Sequence, residues 1–575
     1  MHLVDALARC EGVKPIPMHH EQACAMAAEA YSRGGECPGV ALVTSGPGSI
    51  NALTGVGEAY TQSVAMMMIS GQVKRSDLKG KTGLRQTGAQ EVDIEAIAAD
   101  LTKYVVTVMD PQQIRFHLEK SFQIALEGRP GPVWLDIPLD VQAVEVDPAV
   151  LVGEIGPASA PQDISVEIDR LFSMICAAER PVVMAGHGVR LADAKDVFAS
   201  LVRRMDMPVV TTWIASDLLP HAHPLVVGSP GAVGLRAGNF AVQNADLLII
   251  IGSHLDPSVT AFNPDCFGRS AKCILVDIDS IELAKFEENF EMKLAVDAKY
   301  FIEQLSQRLI GVSLPDWDHW KRRCADWKAR YSISHQIDAW KETALSHYEV
   351  VDAFSDLIPP HRLIVMGGSG LAIGSFYVAF RSKYGQRVFS TSGLGSMGYG
   401  LPAAIGACTG IGGKECICIE SDGSLMMNLQ ELATLRALNL PIKLFIINNA
   451  GSASIRNTER NYFDGRALGT EPEAGLFIPS FVKVAEAMGL PAMEISSREE
   501  LRGGIASALA SNGPIICEIH TTRFEALLPK AMAVPQADGS LLSMPLEDMT
   551  SLLPRDVLRR EMLVPLTPES EKVEM

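Results

Sequence analysis

At 575 residues the chain exceeds what one hydrophobic core can organise, and its length sets an expectation of roughly three to four domains. With 50 basic against 68 acidic residues it carries a net charge of −18, which argues against binding to nucleic acid or an anionic membrane, since both need a basic face. No apolar run approaches the roughly 18 residues of a membrane span, no signal peptide stands at the start, and the 11 cysteines lack paired metal spacing and read as reduced thiols of a cytoplasmic protein.

In chain order, Leu3, Ala6, Leu7 and Cys10 recur at helical spacing, a short strand is expected at Val13 to Met18, and a helix from Glu21 to Ser32. Val40 to Val43 then opens an α/β alternation that continues to Pro138, within a first domain at 1–150. A Pro-, Val-, Asp- and Gly-bearing linker leads to a second α/β block at 163–312 and a polar connecting segment at 313–345. The third block spans 346–527. The tail, 528–575, is expected to form only short amphipathic pieces.

The third block carries the most informative stretch, Glu420 to Gly451. One apolar run, Cys416 to Ile419, ends in Ser421-Asp422-Gly423, and another, Ile442 to Ile447, ends in Asn448-Asn449. Between them Leu425, Leu429, Leu432, Leu435 and Leu438 keep helical spacing, so the unit reads as strand, helix, parallel strand. A right-handed crossover places Asp422 and Asn449 just past the carboxyl ends of neighbouring strands. One anionic and one neutral oxygen ligand suit magnesium, and Gly423 and Ser424 open the helix with free N–H groups, so the crevice suits a diphosphate with its metal. Asp-Gly or Asn-Asn alone is an ordinary turn; the pair, with 24 residues between Gly423 and Asn448, is far more specific.

This unit resembles the metal and diphosphate motif of thiamin-diphosphate enzymes, GDG followed by about 25 residues and NN, with Ser421 in place of the first glycine. The resemblance implies an α/β chain of three doubly wound parallel-sheet domains, binding aminopyrimidine, a nucleotide and diphosphate in that order. Asp422, Asn449 and Gly451 would hold Mg2+, and Gly368, Ser369, Gly423 and Ser424 would lie at the diphosphate. His19-His20-Glu21-Gln22 matches the family's HEQ junction. On its own Glu21 would simply favour a helix dipole; the family match makes it the carboxylate that bonds the aminopyrimidine ring nitrogen and favours the imino tautomer, which draws the proton from the thiazolium carbon. The family usually opens with a strand and a glycine-rich turn ahead of this helix, so about 20–30 residues are expected to be missing from the first domain, judged by usual strand and loop lengths.

Thr44 to Asn51, TSGPGSIN, lacks the G-x-G-x-x-G spacing of a dinucleotide loop. The resemblance places its Gly46, Pro47, Gly48 and Asn51 beside the aminopyrimidine. Gln90 matches the glutamine that acetolactate synthases hold near the reacting carbon, and Ala89 stands where they usually have phenylalanine, implying a wider substrate pocket. Gly395 and Met397 fall in a glycine-rich loop whose methionine, in the family, wedges between the cofactor rings. In the middle block Gly186, Gly188, Gly231, Asn239, Gly252, His254 and Asp277 resemble FAD-contacting segments of acetolactate synthases, with His254 where arginine is common; a nucleotide fold with empty loops is the alternative.

Beyond Asn449 the acceptor-selecting Gln-Gly-Met and Trp of acetolactate synthases are absent. Arg456 and Arg460 are either a clamp for an anionic acceptor or, the reading favoured, ordinary solvated loop charges. This loop and Pro529 to Gln536 look closer to acetolactate-synthase-like proteins of sugar pathways. The resemblance implies decarboxylation of a 2-oxo acid such as pyruvate and transfer of its two-carbon unit to a second carbonyl. It also implies a homodimer or homotetramer with active sites between subunits, because Glu21 and Asp422 lie in different domains. A thiamin-dependent decarboxylase or C–C lyase or hydrolase, and a non-catalytic shortened homologue, stay open as alternatives.

Overall fold

Short runs of apolar and β-branched residues alternate with helices in three successive blocks, and each block closes its own parallel sheet. The computed structural model describes every residue except 154–155, 157–161, 287–289, 334–343, 369, 536–540 and 574–575. In the first block helix α1 (His2–Arg9) precedes an unpaired stretch, so the strand expected at Val13 to Met18 does not form; that stretch has no ladder partner. Helix α2 (Glu21–Gly34), strand β1 (Gly39–Val43), helix α3 (Pro47–Thr61), and strands β2 (Met66–Gln72), β3 (Tyr104–Thr107) and β4 (Pro132–Pro138) follow. The sheet order is β1-β2-β4-β3.

The middle block contributes β5 (Pro181–Ala185), β6 (Val209–Thr211), β7 (Val226–Gly228), helix α4 (Arg236–Asn244), β8 (Leu247–Ile251), β9 (Lys272–Asp277) and β10 (Met292–Ala295). Their order, β10-β9-β8-β5-β6-β7, reverses direction between β8 and β5, the place where open α/β sheets bind nucleotides. Every residue of α4 is buried. Helix α5 (Asp318–Arg330) lies in the connecting segment.

In the third block helix α6 (His347–Leu357) starts on a capping box between Ser346 and Glu349. Strands β11 (Leu363–Met366) and β12 (Arg387–Ser390), helix α7 (Gly400–Gly410), strand β13 (Cys416–Ser421), helices α8 (Asp422–Leu425) and α9 (Glu431–Leu438), strand β14 (Ile442–Asn448), helix α10 (Ala453–Tyr462), and strands β15 (Ala492–Ile495) and β16 (Ile515–His520) complete it, in the sheet order β12-β11-β13-β14-β16-β15. The crossover helix expected from the leucine spacing is interrupted between α8 and α9. There Asn428 turns its amide onto the Gly398 carbonyl at 2.8 Å and is fully buried.

The tail also departs from expectation. Residues 530–531 pair with 549–550 and residues 533–535 with 541–543, both antiparallel, and helix α11 (Arg555–Glu561) follows. Glu561 receives hydrogen bonds from Trp327 at 2.6 Å, Arg330 at 2.6 Å and Tyr331 at 2.9 Å, which fix the tail on the middle block. Gln536 of the tail motif lies outside the described residues.

First and third blocks share a core. Met26 and Ala30 of α2 pack in one cluster with Leu401, Ala404 and Leu432. The helices approach backbone to backbone: a Cβ on Gly406 of α7 would lie 1.9 Å from the Ala27 carbonyl oxygen. Among the described residues no helix is long and apolar enough to cross a membrane.

Candidate active site

One half of the site grows from the turns of the first block. His20 caps α2 by accepting the Gln22 N–H on Nδ1 at 3.1 Å, which puts Glu21 at the first helical position. Asn51 Nδ2 donates to Glu21 Oε2 at 3.1 Å. Gly48 lies beneath this carboxylate: a Cβ there would stand 2.6 Å from the Thr44 methyl and 3.3 Å from Glu21 Oε1. Gly46, at φ +63°, backs onto Gln90, whose carbonyl oxygen would be 2.3 Å from a Cβ on it. Glu21, Gly46, Pro47, Gly48, Asn51 and Gln90 are therefore neighbours although they span 70 positions, 21 to 90.

The third block grips that junction. Glu431, fully buried, accepts the backbone N–H of His19 at 3.1 Å and of His20 at 3.0 Å on Oε1, and the Thr434 hydroxyl at 2.6 Å on Oε2. Asn428 Nδ2 reaches Gln22 Oε1 at 3.4 Å. In return Glu58 of α3 accepts the Ser396 N–H at 2.7 Å and the Thr391 hydroxyl, while Thr391 Oγ1 accepts the Gly395 N–H at 3.1 Å. These bonds pin the loop of Gly395 and Met397. The Met397 methyl lies 3.7 Å from where a Cβ on Gly423 would be.

At the carboxyl ends of β13 and β14, Asp422 Oδ1 accepts the Gly423 N–H at 2.7 Å, and Oδ2 accepts those of Asn449 at 3.1 Å and Gly451 at 2.9 Å. The crossover thus brings the three expected metal residues into direct contact. Asp422 is 1% exposed, and burial pushes its carboxyl upward against the pull of these three donors. Ser424 Oγ accepts the Gly398 N–H at 2.7 Å. Ser421 has an ordinary φ of −97°. Its hydroxyl is accommodated because position 368 is glycine, where a Cβ would lie 2.5 Å from Ser421 Oγ. Ser369 lies outside the described residues.

Several residues here carry no obvious signal in the sequence. Glu420 is buried where Gly367, Gly368 and Gly400 leave room for it; it accepts the Gly400 N–H at 2.8 Å and the Ser421 N–H at 2.9 Å, and burial pushes its carboxyl up to about 7. Arg456 is 2% exposed, so the solvated-loop reading is corrected: its guanidinium donates to the carbonyls of Asn449 at 2.8 Å and Thr470 at 2.8 Å and to Asn449 Oδ1 at 3.1 Å. Arg460 is exposed, its charge 5.0 Å over the Phe524 ring. His347, buried, bonds Glu525 through Nδ1 at 2.8 Å and stands 3.3 Å from Asn449 Nδ2 on its other side. Glu58 and Glu431 had one cue: each is an acid in an apolar helical stretch with no cation three or four residues away.

The middle-block residues divide. Gly186, Gly188 and Gly252 meet at the reversal of strand order, with the Gly188 N–H donating to the Gly252 carbonyl at 2.8 Å, and Asp277 ends β9 beside them in the sheet. Gly231 and Asn239 instead bond each other: the Gly231 N–H donates to Asn239 Oδ1 at 2.9 Å, and the amide hydrogens of Asn239 go to Gly231 and to Leu546 of the tail. Asn239 thus holds the tail and has no amide hydrogen free for a cofactor. His254 is exposed, 3.9 Å from Asp256.

Models of the thiamine pyrophosphate enzyme N-terminal binding domain, central domain and C-terminal binding domain match residues 1–97, 168–305 and 372–519. The chain belongs to the thiamine pyrophosphate enzymes. An acetolactate synthase large subunit of Parasynechococcus marenigrum is 34% identical, over 92% of this chain and 84% of its own length. One from Corynebacterium glutamicum is 32% identical over 89% and 81%, and one from Lactococcus lactis 28% over 93% and 90%. This is an acetolactate synthase-like member of the thiamine pyrophosphate enzymes, with the three parallel-sheet domains of that family.

Asp422, a buried carboxylate that accepts three backbone N–H groups and has no salt bridge among the described residues, has the chemistry of a ligand for a divalent cation.

Proposed function

We propose that this enzyme decarboxylates pyruvate or a similar 2-oxo acid and joins the resulting two-carbon unit to a second carbonyl compound. The observation that carries this reading is that the block holding Glu21, bonded to Asn51, and the block holding the buried Asp422–Asn449–Gly451 cluster are tied to each other by Glu431 and Glu58.

Bound thiamin diphosphate supplies the acidic thiazolium carbon and the electron sink that decarboxylation requires. Asp422, the Asn449 side chain and the Gly451 carbonyl would hold Mg2+ and, through it, the diphosphate. Glu21 sits at the amino end of α2 as a hydrogen-bonding carboxylate that would bond the aminopyrimidine and hold a proton there. Asn51, donating to Oε2, fixes its rotamer. Met397, held against Gly423, would support the bound cofactor, and Gln90, beside the Gly46 turn, would orient substrate. Ala89 leaves the acceptor side open.

The reading extends to FAD on the turns of Gly186, Gly188 and Gly252 with Asp277, to a homodimer or homotetramer, and to a cytoplasmic setting. Its test is product analysis with pyruvate alone and then with added keto acids or keto sugars, in the presence of thiamin diphosphate and Mg2+. Carboligation products support the proposal; acetaldehyde alone would mark a decarboxylase. Flavin release on denaturation checks the FAD component.

A further inference from the structure

Where the three domains meet, a cavity of about 830 Å³ opens that neither Glu21 nor Asp422 lines. Its volume falls in the range of small-molecule sites. Arg33 from the end of α2, His187 and Arg190 from the turn after β5, and Arg387 of β12 form the inner wall, while Lys414 and Glu36 stand exposed on other parts of the lining.

The charges on that wall do not balance. Arg33 pairs with Glu29 at 2.5 Å, whereas Arg190 at 2.7 Å and Arg387 at 3.3 Å share the single carboxylate of Asp217. Three guanidinium groups thus face two carboxylates, with one cation in surplus. His187 adds no counter-charge: burial and the neighbouring guanidinium groups hold it well below the usual histidine range, and therefore neutral. The same burial and crowding push Arg387 down to about 9. Three buried nitrogens of this wall, Arg33 Nη2, Arg190 Nε and His187 Nδ1, have no hydrogen-bond partner. The two guanidinium nitrogens among them are donors, and with the surplus cation they suit this wall, in a chain of net charge −18, to an anion.

We infer that this junction is a binding site for a phosphorylated small molecule, its phosphoryl group seated against Arg190 and Arg387. Guanidinium forks match phosphate oxygens in geometry and charge, and the remaining volume admits an organic part of about nucleoside size. Because the walls come from all three domains, the ligand would favour the state in which they are docked together.

The test is calorimetric titration of the enzyme, already saturated with thiamin diphosphate, Mg2+ and FAD, with AMP and separately with inorganic phosphate. Saturable binding of AMP, tighter than that of phosphate and raising the melting temperature, is expected; binding of phosphate as tight as AMP would still support the phosphoryl seat. Arg190→Gln removes the surplus cation while Asp217 keeps Arg387, and should weaken binding by about tenfold with little change in the unliganded melting temperature. Lys414→Glu, at an exposed position, should weaken it by a smaller factor. No saturable binding of either probe, or unchanged affinity in both variants, would overturn the assignment.

Discussion

Glu21→Gln keeps the shape of the side chain and removes its capacity to share a proton. Turnover should fall by at least about a hundredfold while calorimetry still shows cofactor binding; wild-type turnover would refute the role. Asp422→Asn removes the charge and leaves one of the two oxygens that accept the Gly423, Asn449 and Gly451 N–H groups, so Mg2+-dependent binding of thiamin diphosphate should weaken by about tenfold or more, read by titration at fixed cofactor. Both residues were picked out in the sequence by motif, Asp422 by the crossover unit and Glu21 by its resemblance to the family's HEQ junction, although their surroundings come from distant positions, Asn51 for one and Asn449 and Gly451 for the other. Arg456 was not. A charged residue read as part of a loop is expected to be solvated; here it lies on α10, and what buries it is a set of carbonyls from Asn449, Thr470 and Arg523, none predictable from neighbouring residues.

At the scale of elements, the turns decide how well the site is built. Gly48→Ala would drive a methyl into Thr44 and against Glu21, displacing the carboxylate from Asn51. Activity should drop more than stability, seen as a loss of kcat with a melting temperature within a few degrees of the parent. A second element effect concerns β4, where Asp136 is 1% exposed and accepts from Ser70 at 2.5 Å and Gln72 at 2.9 Å. Burial pushes its carboxyl up to about 6. An unfolded aspartate releases its proton near 3.9. Between the two values the native state holds the extra proton, so this group makes stability fall as pH rises from about 4 to about 6, by at most about 3 kcal/mol. Asp136→Asn should remove that component from the melting-temperature profile; an unaltered slope would disprove it. Sequence periodicity located β13 and β14, but not the break between α8 and α9. The leucine spacing continues straight through it, and only the distant Gly398 carbonyl explains why Asn428 leaves the helix.

Across the whole molecule, three parallel sheets were readable from alternating helices and strands, whereas the docking of the tail was not, because Leu546, Leu558, Met562 and Val564 join the middle block's core from short pieces without a sustained period and single polar residues fix them there. Glu561, held well down at about 2 mainly by Arg330 with Trp327 and Tyr331, is the central one. Its contribution is complete above the unfolded glutamate value near 4.3 and fades as pH falls toward 2. Glu561→Ala leaves the buried Trp327 N–H without its acceptor and removes the ion pairs to Arg323 and Arg330, and should expose the tail to limited proteolysis at neutral pH, while leaving residues 1–527 resistant. The cluster that unites α2 with α7 makes the first and third blocks one thermal unit, so calorimetry should show them melting together. That union also bears on synthesis. Gly34 leaves the ribosome 366 positions ahead of Gly400, so at about 5–20 residues per second α2 waits roughly 20–70 s for the helix that covers it. During translation its alanine face is bare, and the first block can finish folding only after the middle one has been made.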